Sequence, residues 1–340
     1  MIKDHVARSA GVRRRTLLIV VALMTPLAGL GLTSSALAAT QPTGEFAVFG
    51  QCPRFALEIE DCFYSQATGG VTTINKLTVP IVNPITFQGG IIAVKGRGVP
   101  TGFVGALNGE TFSVTPEPIP GGMSSLINCN EITGNHHLER AWRHTCKALF
   151  ENSRFAAKAY ETIELARPET EITFDPENDF FEEGTAISLP VKYHLENPLL
   201  GRNCYIGSSA DPIILNMTTG VTNPPPPNKP ITGRYGKLAF NEAFTFLANT
   251  DHALLNNEFS TPGATGCGGG FSFIIDSLIN SRVGLPSPAG YNTVIHEGFA
   301  DEASPRSVIA SEEEVEVSKE EGEVGKKWHD KWGRWINRSH

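Results

Sequence analysis

Ala186-Ile187-Ser188-Leu189-Pro190-Val191-Lys192-Tyr193-His194-Leu195 places an apolar side chain at every second position. Ile187, Leu189, Val191, Tyr193 and Leu195 fall on one face, because successive side chains of an extended strand point to opposite sides. The pattern predicts a half-buried β-strand. Pro190 lacks a backbone N–H, so the strand is expected at a sheet edge or with a bulge. Outward from here, residues 44–298 continue in the same grammar of short apolar runs rich in β-branched and aromatic residues, punctuated by Gly, Pro and Asn. Further strands are expected at 45–49, 72–82, 85–87 continued by 90–94, 103–106, 213–218, 234–238, 244–247, 271–275 and 293–296. Short strands with frequent turns match a mainly β protein better than alternating strand and helix units do. The expected architecture is an antiparallel β-sandwich-like body.

One helix interrupts the strands. Between residues 130 and 155, Leu138, Ala141, Trp142, Ala148 and Leu149 recur at helical spacing among charged residues, which predicts one packed α-helix. Residues 274–283 read as a second, shorter helix ended by Pro286 and Pro288. The run 223–230, with five prolines, is read as an extended spacer between strands.

The N-terminus reads as an export signal. Arg13-Arg14-Arg15 is followed by an apolar run over 17–32 and by Ala36-Leu37-Ala38, the three parts such a signal needs, so residues 1–38 are expected to be removed after Ala38. Arg14-Arg15 before Thr16, Leu17 and Leu18 also fits the twin-arginine pattern, which leaves two export routes open. The expected organisation is a signal over 1–38, a disulfide-stapled β-rich body over 39–300 with one core or two sub-domains split near Pro168, and a charged tail over 301–340. The formal net charge is −8, and loss of the basic signal makes the remainder more acidic still. That balance argues against nucleic acid as a partner.

All six cysteines, Cys52, Cys62, Cys129, Cys146, Cys204 and Cys267, lie beyond the signal. An even count in a chain sent to an oxidising compartment reads as three disulfides. Loop closure costs less entropy for short loops, so neighbours are expected to pair: Cys52 with Cys62, Cys129 with Cys146, Cys204 with Cys267. Zinc is disfavoured because no Cys-x-x-Cys step occurs.

Known chemical signatures are missing or incomplete. No Gly-x-Ser-x-Gly elbow occurs, and His296-Glu297-Gly298-Phe299-Ala300 starts the zinc-hydrolase pattern without its second histidine. The run 263–270, rich in glycine, lacks the Lys-Ser or Lys-Thr of a phosphate cradle and is read as a turn past Cys267 into a strand at Phe271. Asp175, Glu177 and Asp179 concentrate hard oxygen ligands and are the weak calcium candidate, although Phe180 stands where the calcium loop needs glycine. No cofactor is implied. In the tail, nine acids over 301–324 predict disorder, and beyond them Trp328, Trp332 and Trp335 sit beside Lys326, Lys327, Lys331 and Arg334. That aromatic and cationic face suits contact with a membrane surface through residues 325–340.

Three segments resemble a family of exported proteins of high-GC Gram-positive bacteria that has no assigned activity. They are Thr43-Gly44-Glu45-Phe46-Ala47-Val48-Phe49-Gly50-Gln51-Cys52-Pro53, the run from His194 through Leu199-Leu200-Gly201-Arg202-Asn203-Cys204-Tyr205-Ile206-Gly207-Ser208 to the prolines, and Gly263-Ala264-Thr265-Gly266-Cys267-Gly268-Gly269. The resemblance covers most of residues 43–299, implies export and the cysteine framework, and carries over no catalytic residue. The expected function is a non-enzymatic binding or structural protein of the cell envelope or extracellular space, with an unknown ligand there. The alternatives are a secreted hydrolase with a site assembled from distant residues, and membrane association through the tail.

Overall fold

Residues 187–196 form the strand that their alternation predicts, and the rest of the architecture is arranged around it. The computed structural model describes residues 41–92, 101–132, 136–151 and 157–312. A 3-10 turn at Gly44–Phe49 precedes β1 (Ile59–Ile74), β2 (Leu77–Pro80), β3 (Ile85–Ile92), β4 (Thr101–Gly105), β5 (Phe112–Val114) and β6 (Glu117–Pro118). The helices α1 (Met123–Leu126) and α2 (His137–Cys146) follow, the latter continued by a π-helical turn at Lys147–Glu151. Next come β7 (Tyr160–Leu165), β8 (Thr173–Phe174), α3 (Pro176–Phe181), β9 (Ile187–Glu196), β10 (Tyr205–Ile206) and β11 (Ile213–Met217). The last group is β12 (Lys237–Phe240), β13 (Phe246–Asn256), β14 (Ala264–Thr265), α4 (Ser272–Val283), β15 (Asn292–Ala303) and α5 (Pro305–Ala310).

The protein is mainly β and antiparallel. Its strands pair in the order β12-β13-β15-β1-β3-β4-β8-β9-β10-β14, with β7 and β11 flanking β9. β4 joins the two halves by pairing with β3 on one side and β8 on the other. The inward faces of both halves feed one core: Phe63 of β1 lies 5.7 Å from Phe87 of β3 and 5.5 Å from Phe174 of β8, ring centre to ring centre. Strands on either side of Pro168 pair with one another, β4 with β8 and β7 with β9.

The apolar face of β9 is realised in full, since Ile187, Leu189, Val191, Tyr193 and Leu195 are all buried, and on the other face Pro190 is buried too. The edge position expected from Pro190 is not realised, because β9 is paired on both sides, with β7 and with β11. The physical reason lies in the register. The Pro190 carbonyl accepts from the N–H of Ala166, just past the end of β7 at Leu165, and in an antiparallel strand the missing N–H faces that same side. The donor is therefore absent where no strand remains to use it.

Three expected strands fold otherwise. Residues 72–82 are a hairpin instead of one strand: β1 ends at Ile74, the chain turns at Asn75 (φ 51°) and Lys76, and β2 pairs back on β1. Residues 45–49 form the 3-10 turn, where Phe46 and Phe49, three apart and hence on one side, both meet the Phe246 ring at about 6 Å. Residues 271–275 begin α4 instead of a strand. Gly268 and Gly269 take positive φ (77° and 58°), a left-handed turn that glycine alone makes without steric cost, and the chain leaves it as a helix. Ile275, Leu278, Ile279 and Val283 are then buried at helical spacing. The end of α4 is set by Gly284 in the left-handed cap conformation, ahead of Pro286.

The body also runs further than composition suggests. Asp301 to Ala303 complete β15, Glu302 and Ala303 are buried, and α5 follows. The boundary expected at 300 is thus displaced to at least 312, where Glu312 makes a buried ion pair with Arg54. The signal reading over 1–38 and the tail reading on Trp328, Trp332 and Trp335 lie outside the described residues. The three disulfides are the neighbour pairs Cys52–Cys62, Cys129–Cys146 and Cys204–Cys267, and no cysteine is free. Such a set is consistent with an oxidising compartment.

Candidate functional site

The expected packed helix is only half packed. Of α2 and its π-turn, Cys146 and Phe150 are buried, whereas Leu138, Trp142 and Leu149 keep 75%, 43% and 44% of their surface exposed. These apolar residues form one stripe, because positions three, four or seven apart share a helix face. Opposite them lies the start of α4, where Phe271 and Phe273 are 58% and 74% exposed. Trp142 meets Phe271 edge to face at 6.2 Å.

Between the two helices runs a groove of about 380 Å³, with Ile132, Leu149, Phe150, Leu199 and Ile275 among its lining residues. Among the described residues that line it, Thr145 alone carries a hydroxyl. A disulfide fastens each wall: Cys129–Cys146 ties α2 to its entry, and Cys204–Cys267 holds the glycine turn that launches α4. Asp276 reinforces that turn by accepting from the N–H groups of Cys267 (2.8 Å) and Gly266 (3.2 Å). The volume lies in the range of small-molecule sites, and an apolar lining with few polar groups is what such sites use.

A second depression, of about 600 Å³, lies across the turn at 197–202 and is lined by Lys158, Tyr160, His194, Glu196 and Arg202 among others. The turn is firmly held. Asn197 Oδ1 accepts from Leu199 N at 2.8 Å, its Nδ2 donates to the Lys158 carbonyl at 2.7 Å, and Gly268 N donates to the Leu200 carbonyl at 2.7 Å.

The polar cluster richest in chemistry is elsewhere, and it is small. His252 Nε2 lies 3.0 and 3.2 Å from the two carboxylate oxygens of Asp179, and both residues border a cavity of about 50 Å³ that His296 also lines. Two bulges aim these groups. Asp251, at φ 61°, is the extra residue between β13 and β15, and a second irregularity between Ala67 and Gly69 disturbs the β1 pairing; Gly298 of β15 faces both His252 and Ala67. A bulge re-aims the side chains around it. Here it sends Asp251 outward to Arg234 and Lys237, each at 3.3 Å, while His252 turns inward. The Lys237 hydrogen bond and charge, then Arg234, hold the Asp251 carboxyl below its usual range. His296 Nε2 is buried without a hydrogen-bond partner, and burial pushes the ring's pKa down to about 4. At 50 Å³ the cavity accepts a water or two. It has no room for an organic substrate, so size separates it from the groove.

Gly298 is the residue on which this corner turns. A Cβ there would stand 1.9 Å from the Gln66 carbonyl oxygen, so β1 and β15 would have to part. Gly298→Ala is expected to destabilise the protein by about 3 kcal/mol, the upper end for forced overpacking, as read by denaturant unfolding. A loss below about 0.5 kcal/mol would show that the strands separate freely there.

The calcium candidates do not converge. The segment folds as α3 instead of a loop, with Asp175 as its N-cap accepting from Glu177 N and Asn178 N (both 3.1 Å) and Asp179 turned to His252. Among the described residues no group of three or more His, Cys, Asp and Glu side chains gathers as a metal site. A pair of carboxylates does meet, Glu117 opposite Glu161 across β6 and β7, but both are buried in the core and neither borders a cavity described above.

Comparison with family models, with curated proteins and with solved structures finds no match. The site therefore stands on its own geometry. The structure brings the six cysteines together in their expected pairs and sets Asp175, Glu177 and Asp179 along the start of α3, where they form no metal cluster among the described residues. The groove residues Leu199, Phe271 and Ile275 carry no chemical motif. The one available signal was the stripe of Leu138, Trp142 and Leu149, whose spacing shows an apolar face without showing what lies against it.

Proposed function

We propose that the protein is an exported, non-enzymatic binding protein of the cell envelope or extracellular space, and that its binding surface is the groove between α2 and α4. The observation that carries this reading is an open apolar groove whose lining, among the described residues, holds no acid or base: Trp142, Leu149, Phe150, Phe271 and Ile275 offer contact area, and Thr145 adds one hydroxyl. Large exposed apolar patches mark interaction sites on soluble proteins. The His252–Asp179 pair, the group best suited to acid–base work, faces a space of water size. Three disulfides and the resemblance of residues 43–53, 194–208 and 263–269 to exported proteins support the compartment.

The test uses oxidised protein lacking residues 1–38 and a neutral naphthylamine dye that brightens in apolar surroundings. Saturable binding at one site is expected, weakened at least tenfold by Leu149→Asp with Phe271→Asp, with the circular dichroism spectrum unchanged. Both side chains are exposed by about half, so the pair is expected to leave the core intact. Absence of saturable binding, or binding that the double variant leaves unaltered, would remove the groove from the function. Turnover of ester, glycoside or peptide substrates abolished by His252→Ala would favour the hydrolase instead.

A further inference from the structure

We infer that the groove takes the hydrocarbon chain of a single-chain anionic amphiphile, such as a long-chain carboxylate, and that Lys158 and Arg202 receive its head. This rests on the groove being the binding surface. The 197–202 turn is the common wall of two unlike depressions: Leu199 faces the apolar groove, while Pro198, Gly201 and Arg202 face the polar cleft. A molecule laid over that wall meets an apolar surface on one side and cations on the other.

Charge points to the sign of the head. The whole chain is acidic at −8, yet the cleft holds Lys158 and Arg202, both exposed and without an ion-pair partner among the described residues. The acid of the same cleft, Glu196, is engaged by the Thr162 hydroxyl and lies 3.9 Å from His194 Nδ1. His194 itself is stacked on Tyr205 at 4.5 Å and lies 3.4 Å from Glu164. Along α2 and its π-turn, Arg140, Arg143 and Lys147 stand against Glu139. Size points to one chain, since about 380 Å³ is near the lower end for a small-molecule site and far too little for a bilayer patch.

Two comparisons test the inference with oxidised protein lacking residues 1–38, by titration calorimetry at pH 8 below the micelle concentration of each probe. In a series of saturated carboxylates from eight to sixteen carbons, affinity is expected to rise roughly threefold or more per methylene until the groove is filled. At fixed length, the carboxylate is expected to bind about tenfold more tightly than the alcohol. Lys158→Gln with Arg202→Gln should erase that preference and leave binding of the alcohol and the neutral dye unchanged. Equal affinity for acid and alcohol, or a preference surviving in the double variant, would overturn the inference, and continued dye binding would then leave the groove itself standing. Three other occupants would also overturn it. Binding that appears only after deletion of residues 325–340 would assign the groove to the chain's own tryptophan segment, a dimer dissociated by Leu149→Asp would assign it to a second copy, and capture of anionic vesicles without any chain-length dependence would assign it to a membrane.

Discussion

Relative to the wild type, Glu161→Gln is expected to gain on the order of 5 kcal/mol of stability between pH 4.5 and pH 8. Glu161 stands opposite Glu117 on neighbouring strands, both buried, and Glu117 already accepts from the N–H groups of Val82 and Asn83 at 3.0 Å. Burial, and then the charge of Glu117, push Glu161 up from 4.5 to about 8. Burial removes the water that would stabilise the Glu161 anion, and the nearby Glu117 charge opposes it further, so Glu161 holds its proton well above the usual carboxylate range. A folded pKa above the unfolded one means that the contribution is complete below pH 4.5 and is lost as pH rises through about 8.

His296 acts in the opposite sense. Its pKa, held by burial at about 4 against 6.5, gives stability that is complete above pH 6.5 and is lost as pH falls through about 4. The two slopes oppose one another between pH 4.5 and 6.5, so from this pair the wild type should be nearly flat there and then fall by about 2 kcal/mol up to pH 8. In Glu161→Gln the fall above pH 6.5 should vanish, and the acid slope of His296 should emerge reduced, because Asp301, raised by burial to about 6, opposes it below that pH. Guanidinium unfolding at half-unit pH steps reads both limbs, and parallel profiles for the two proteins would show that the Glu161 carboxyl is not raised by folding.

Replacing Cys204 and Cys267 together by serine should cost about 4 kcal/mol, the most of the three disulfides. The estimate follows from loop length: this bond spans 63 residues, against 10 for Cys52–Cys62 and 17 for Cys129–Cys146. The chain-entropy term grows with the logarithm of the loop, which gives about 3 kcal/mol for each shorter bond. Both sulfurs are fully buried at the glycine turn before α4, so the loss should also loosen one wall of the groove. Equilibrium unfolding of the three double variants gives the order. A smaller loss for Cys204 and Cys267 than for Cys52 and Cys62 would mean that the long loop is already closed in the unfolded chain.

Local pattern carried the parts of this fold that depend on a residue's immediate neighbours. The period of two in residues 187–195 gave β9, and short loop closure gave all three disulfides. It failed where partners are distant. Nothing in the sequence around Pro190 tells that β7 stops at Leu165, which is what allows a proline in a strand paired on both sides. Short apolar runs such as 45–49 and 271–275 do not separate strand from helix by period alone, and glycine conformation decided the second of them. The acids at 301 and 302 suggested a solvated tail, yet they complete β15 beside β1 and β13.

The sites divide the same way. His252 was invisible because its role comes from a bulge at Asp251 and from Asp179, 73 positions earlier in the chain. The apolar stripe of α2 was legible, but its openness is a property of the neighbours that stop short of it.

Photolabelling with a long-chain carboxylate bearing a diazirine near its end asks where an apolar ligand sits. Peptide mapping of the oxidised protein should find the label on 137–151 and 271–283, the two walls of the groove, and excess unlabelled carboxylate should remove it. Label spread over the β surface, or label that the competitor leaves in place, would contradict a binding groove between α2 and α4.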